Sequence, residues 1–176
     1  FSGFTFSWYL TRHFKTRSAA VVPFAVFYAM SGYLAAYNWN VMWLDCIFLF
    51  PLIALGLEHL VTEGKYRLYC ISLALCILYN YYISIMVCIF LVLYFLVLMV
   101  SHCDSLRRMG GAVVRFALFS VLAGGMAAIL LIPEYSALHL TKFSDFNFPS
   151  KLTFYFSTID MLARHCMDVA VETGLD

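Results

Sequence analysis

The sequence predicts an all-α fold: a polytopic transmembrane helical bundle of about five full spans plus one truncated, with short interfacial helices at its extracytoplasmic C-terminal end. Composition and run length carry that prediction. Of 176 residues, 64% are hydrophobic and only 12% charged, whereas soluble domains run near half apolar and about a quarter charged. Mean hydropathy is +0.87, and several stretches reach the ~20 apolar residues that cross a hydrocarbon core.

The elements follow in order. Residues 1–10 form a truncated span, so the chain is expected to be an internal piece of a longer protein, cut within a helix. Full spans are expected at 18–37, 41–60, 83–100 and 112–132, with a shorter one at 66–79. The apolar run from 66 to 100 is too long for a single crossing at ~1.5 Å per residue. Its polar interruption, Asn80-Tyr81-Tyr82, predicts a hairpin there. Pro133 is expected to close the last helix, which divides the chain into a membrane domain at 1–133 and an outer interfacial segment at 134–176. That segment mixes charges, aromatics and turn residues, and predicts short helices at 149–155 and 157–173, the second opening with Ser157 as N-cap.

Lysine and arginine placement sets the orientation. One set of connections holds Arg12, Lys15, Arg17, Lys65, Arg67, Arg107 and Arg108, with Arg115 just inside the next helix. The opposite set holds only Lys142, Lys151 and Arg164. The expected location is therefore a bacterial cytoplasmic membrane, with the basic connections inside and residues 133–176 outside. A net charge of +1, with no basic stripe between aromatics, gives nucleic acid no footprint. Four of the six cysteines lie in apolar runs as small hydrophobes, and no Cys/His spacing suggests a metal.

Among candidate functional residues, Asp45 stands out as a carboxylate within an apolar run. Such a group costs on the order of 2.5–3.5 kcal/mol to insert, and it usually faces a cavity or a partner. A helix that begins by Asn38 puts Asn38, Met42 and Asp45 on one face, and Pro51 downstream frees the Ile47 carbonyl. Asp45 reads either as part of a polar pocket open to the outside or as a carboxylate paired within the bundle or reaching the interface. Tyr37, Trp39, Trp43, Tyr79, Tyr81, Tyr82 and Tyr135 gather at the predicted outer boundary, where an interfacial belt is the better reading and a sugar-stacking surface the sharper one. Asn80 reads as the end of a short helix. Glu134, His139, Lys142, Arg164 and His165 read as a solvated amphipathic surface, or as a site whose cations would meet a lipid-linked phosphate. The stretch AGGMAA at 123–128 predicts a helix-packing surface, and Glu58 and His59 read as residues of the cytoplasmic interface.

The stretches SGYLAAYNWNVMWLD (31–45), FPLIALGLEHL (50–60) and LYCISLALCILYNYYISIMVCIFLVLYFL (68–96) together resemble the YfhO family of bacterial membrane proteins. The resemblance covers most of residues 1–133, is most specific in YNWNVMWLD, and is much looser after Pro133. It implies a polytopic glycosyltransferase of the GT-C type. Such an enzyme takes a sugar from an undecaprenyl-phosphate carrier at the outer leaflet and decorates an envelope polymer such as teichoic acid. In that scheme the catalytic base lies in an outer loop upstream of Phe1, and Asp45, matching the family's WLD, shapes or polarises the donor pocket. Asn38, Trp39, Asn40, Asn80 and Tyr81 would line the pocket, and Lys142 or Arg164 would meet the lipid phosphate. No cofactor is implied, and a divalent metal stays open. The alternative is a secondary transporter or flippase of envelope precursors; against it stand a carboxylate near the outer edge rather than the midplane and the lack of a repeat.

Overall fold

A computed structural model describes residues 1–36, 39–102 and 106–139. Asn38, Lys142, Arg164 and the two expected outer helices lie outside the described residues. The chain divides into a compact unit, Phe1–Ala137, and a second one, Leu138–Asp176, of which only the end of a helix is described.

The described residues form helices and no strands. The helices are α1 (Ser2–His13), α2 (Val21–Ala29), α3 (Gly32–Ala36), α4 (Val41–Thr62), α5 (Arg67–Tyr79), α6 (Tyr81–His102) and α7 (Leu106–His139). Three stretches are long and apolar enough to cross a membrane: Trp43–Thr62, Tyr81–His102 and Arg107–Ala137. The span expected at 18–37 is instead interrupted after Ala29. The α2 C-cap Met30 leaves helical geometry, and a five-residue α3 follows. At ~1.5 Å per residue, neither α2 nor the 13-residue α5 matches a hydrocarbon core of ~30 Å.

α4 is the central helix. Cys46, Leu49, Ile53, Leu57 and Leu60 recur every three or four residues along it and are buried. They pack on Tyr69, Leu73 and Cys76 of α5 and on Val87, Leu91, Phe95 and Leu98 of α6 in one core. α5 runs back along α4, because Gly56 abuts Tyr69 while the Cys46 thiol reaches the Cys76 carbonyl. α6 then runs with α4, with Phe50 against Phe90 and Glu58 against Tyr94. α5 and α6 are therefore antiparallel, as the hairpin reading requires. The break is one residue long: Asn80 is extended (φ −159°, ψ 106°), and its side-chain oxygen accepts from the Ile83 N–H at 3.0 Å, capping α6.

Gly56 sets the spacing of α4 and α5. A Cβ there would lie 2.5 Å from the Tyr69 backbone nitrogen. Pro51 frees the Ile47 carbonyl, and the Tyr28 hydroxyl donates to it at 2.7 Å, joining α2 to α4. Pro133, expected to end the last helix, lies inside α7, which continues to His139. Proline removes one helical hydrogen bond, and a long helix with bonds on both sides can absorb that loss. The AGGMAA stretch divides: Ala123 and Ala127 are fully buried, but an added Cβ on Gly124 or Gly125 would meet nothing within 4 Å.

Candidate functional site

Polar side chains collect at the two ends of the bundle. At the end holding the α4 N-terminus and the α5–α6 turn, Asp45 is the fifth residue of α4 and is half-buried. Among the described residues its carboxylate has no hydrogen-bond partner. Asn40 is the backbone N-cap of α4 but makes no side-chain cap bond, and Trp39 is 72% exposed. A cavity of about 560 Å³ opens beside the turn, lined by Asn80, Tyr81, Leu130, Pro133 and Glu134 among others. The fold thus brings Asn80 and Tyr81 to Glu134. Asp45, Trp39 and Asn40 do not line this cavity, although the neighbour Cys46 comes within 3.9 Å of the Asn80 carbonyl. Asn80 also has a structural duty, since its amide oxygen is occupied in the cap.

The opposite end holds the group that the sequence did not disclose. Glu58, read as an interface residue, is buried at 9% exposure. Its Oε1 accepts from the Tyr9 hydroxyl at 3.0 Å, from the Tyr94 hydroxyl, and pairs with His13 Nδ1 at 2.9 Å. One oxygen therefore ties α1, α4 and α6 together. Burial without such partners would be costly for a carboxylate, and the convergence of donors is what allows it. Thirteen residues separate Asp45 from Glu58, or ~20 Å of helix, so they belong to separate sites. The partners lie 49, 45 and 36 residues away in sequence. No local spacing links them; the available signal was a second carboxylate in one apolar run.

Just beyond, the α4 end turns at Gly64 (φ +73°), which lets the Lys65 N–H reach the His59 carbonyl. Lys65 Nζ lies 2.6 Å from Glu63 and holds that carboxyl below its ordinary range. Arg12, Lys15, Arg17, Lys65 and Arg67 stand around this end, and the Arg115 guanidinium lies against Gly64. Among the described residues no group of three or more His, Cys, Asp or Glu is placed to hold a metal.

With this geometry in place, the comparison with known families decides the kinship: the family described as bacterial membrane protein YfhO matches residues 1–171. The chain belongs to the YfhO family. The match runs well past Pro133, so the segment where the sequence resemblance is loosest is also YfhO-like. No curated protein and no solved structure matches the chain.

Proposed function

We propose that this YfhO-family chain is part of a membrane glycosyltransferase that moves a sugar from a polyprenyl-phosphate carrier to an envelope polymer such as teichoic acid at the outer face. Family membership over residues 1–171 is the observation that carries this reading. The reaction forms a bond between the anomeric carbon and an acceptor oxygen and breaks the bond to the carrier phosphate. The acceptor hydroxyl loses its proton to a base, and cations stabilise the departing phosphate. Asp45, half-buried and without a hydrogen-bond partner among the described residues, is suited to accept from a sugar hydroxyl and orient the donor. Tyr81 and Glu134 offer a ring face and a carboxylate on the neighbouring cavity. Lys142 and Arg164 are the cations assigned to the phosphate.

One observation favours the transporter or flippase reading. The 13-residue α5, the extended Asn80 and α6 form an interrupted segment of the kind that transporters use around a substrate. The same experiment separates the two. In membrane vesicles holding the full-length protein, Asp45→Asn should lower transfer of labelled sugar from the carrier to polymer by at least about tenfold, with protein abundance unchanged. Wild-type protein that moves the carrier-linked sugar across the membrane without incorporating it would establish transport instead. Full transfer by Asp45→Asn would remove Asp45 from the site.

A further inference from the structure

Three cations at the end of α1 have no ion-pair partner among the described residues. Arg12, Lys15 and Arg17 are exposed, and the ion pairs at this end join His13 to Glu58 and Lys65 to Glu63. Lys15 adopts a left-handed backbone conformation (φ 51°), which turns the chain so that all three cations line one cavity of about 430 Å³. Glu63 lies across it; its charge is engaged chiefly by Lys65 at 2.6 Å, with Lys15 a weaker influence. The Thr16 side chain adds a hydroxyl.

The apolar side of the same helix leads into this cavity. Phe4 and Trp8, one turn apart, are 73% and 39% exposed, and Trp8 lines the cavity wall. Residues at i and i+4 share a helix face, so Phe4 and Trp8 make a stripe that rises toward Lys15. A tryptophan just below a cluster of cations is the arrangement that meets the boundary between acyl chains and headgroups. A free phosphate would use the cations and leave the stripe bare.

We propose that this cavity is a headgroup site for an anionic phospholipid, its phosphate held by Arg12, Lys15 and Arg17 and one acyl chain laid along Phe4 and Trp8. The site stands apart from the Asp45 and Asn80 end and does not depend on the reaction assigned there. Basic pockets between membrane helices take anionic headgroups in this way, and each cation near the surface adds attraction.

The test counts lipid retained by the purified full-length protein in neutral detergent. Phosphatidylglycerol should bind at least about tenfold more tightly than zwitterionic phosphatidylcholine, and replacing all three cations in R12Q/K15Q/R17Q should weaken it on the order of a hundredfold. All three side chains are exposed, so the variant should keep the wild-type circular dichroism, and the lipid preference of the unaltered protein needs no variant at all. R107Q/R108Q, which removes positive charge outside the cavity, should leave retention within about threefold. Equal retention of the two lipids, an equal loss in R107Q/R108Q, or displacement of phosphatidylglycerol by millimolar inorganic phosphate would overturn the proposal. The last outcome would make the site one for a free phosphate.

Discussion

Three donors on Oε1 make Glu58 the tether between α1, α4 and α6, and its removal should be felt as stability. Glu58→Ala leaves two tyrosine hydroxyls and His13 without their acceptor. Net losses for hydrogen bonds to a charged group run ~1.5–3 kcal/mol each, but they do not simply add here: the His13 side chain is 36% exposed, and the Tyr9 and Tyr94 hydroxyls, 3.4 Å apart, can bond each other once the carboxylate is gone. A total loss of about 2–3 kcal/mol is expected, read as a lower thermal midpoint in detergent, with Glu58→Gln falling between because its amide oxygen still accepts. A midpoint unchanged in Glu58→Ala would mean that the carboxylate binds nothing the fold needs. Asp45 is expected to behave in the opposite way. It stands only half-buried and without a hydrogen-bond partner among the described residues, so its loss should register in sugar transfer before it registers in stability.

Among the elements, the α4–α5 contact depends on Gly56 more than on any large side chain. An added Cβ would sit 2.5 Å from Tyr69 N and 2.6 Å from its Cα, both backbone atoms that cannot turn aside. Gly56→Ala should therefore cost on the order of 1–3 kcal/mol as the helices separate. Gly124→Ala, with open space around it, should be neutral or slightly stabilising, since it also raises helix propensity. Equal melting of the two variants would show that the close approach is not limiting. The sequence drew attention to Gly124 and Gly125 because they are adjacent, whereas the contact was made by a lone glycine whose partner is 13 residues away. The break at Asn80 was legible, since a polar residue between tyrosines in an apolar run has few other uses, and so was the freed Ile47 carbonyl. The hydroxyl that satisfies it was not, because Tyr28 belongs to another helix. Pro133 was misjudged for a related reason: whether proline ends a helix depends on the turns beyond it, and α7 continues to His139.

At the scale of the whole molecule, the charges separate by end. Arg12, Lys15, Arg17, Lys65 and Arg67 line cavities around the α1 and α4 C-termini, and Arg115 joins them against Gly64. Asn40, Asn80 and Glu134 occupy the other end, which carries no lysine or arginine among its described residues. That asymmetry is the ground for expecting the basic end to be retained in the cytoplasm, which labelling can test. α5 rises only ~20 Å from this end, short of a ~30 Å hydrocarbon core, so the Asn80 turn should sit in a recess below the outer boundary. Impermeant thiol reagent added to intact cells should then modify Tyr82→Cys slowly and Lys15→Cys not at all, in an otherwise cysteine-free protein; both positions are exposed on the protein itself. Permeabilised cells should label both. Cys103, restored alone, should follow Lys15→Cys, because it precedes Arg107 and Arg108 in the same expected connection. Labelling of Lys15→Cys or Cys103 from outside would invert the orientation, and would carry Asp45 and the Asn80 cavity to the face where an outer-leaflet carrier could not reach them.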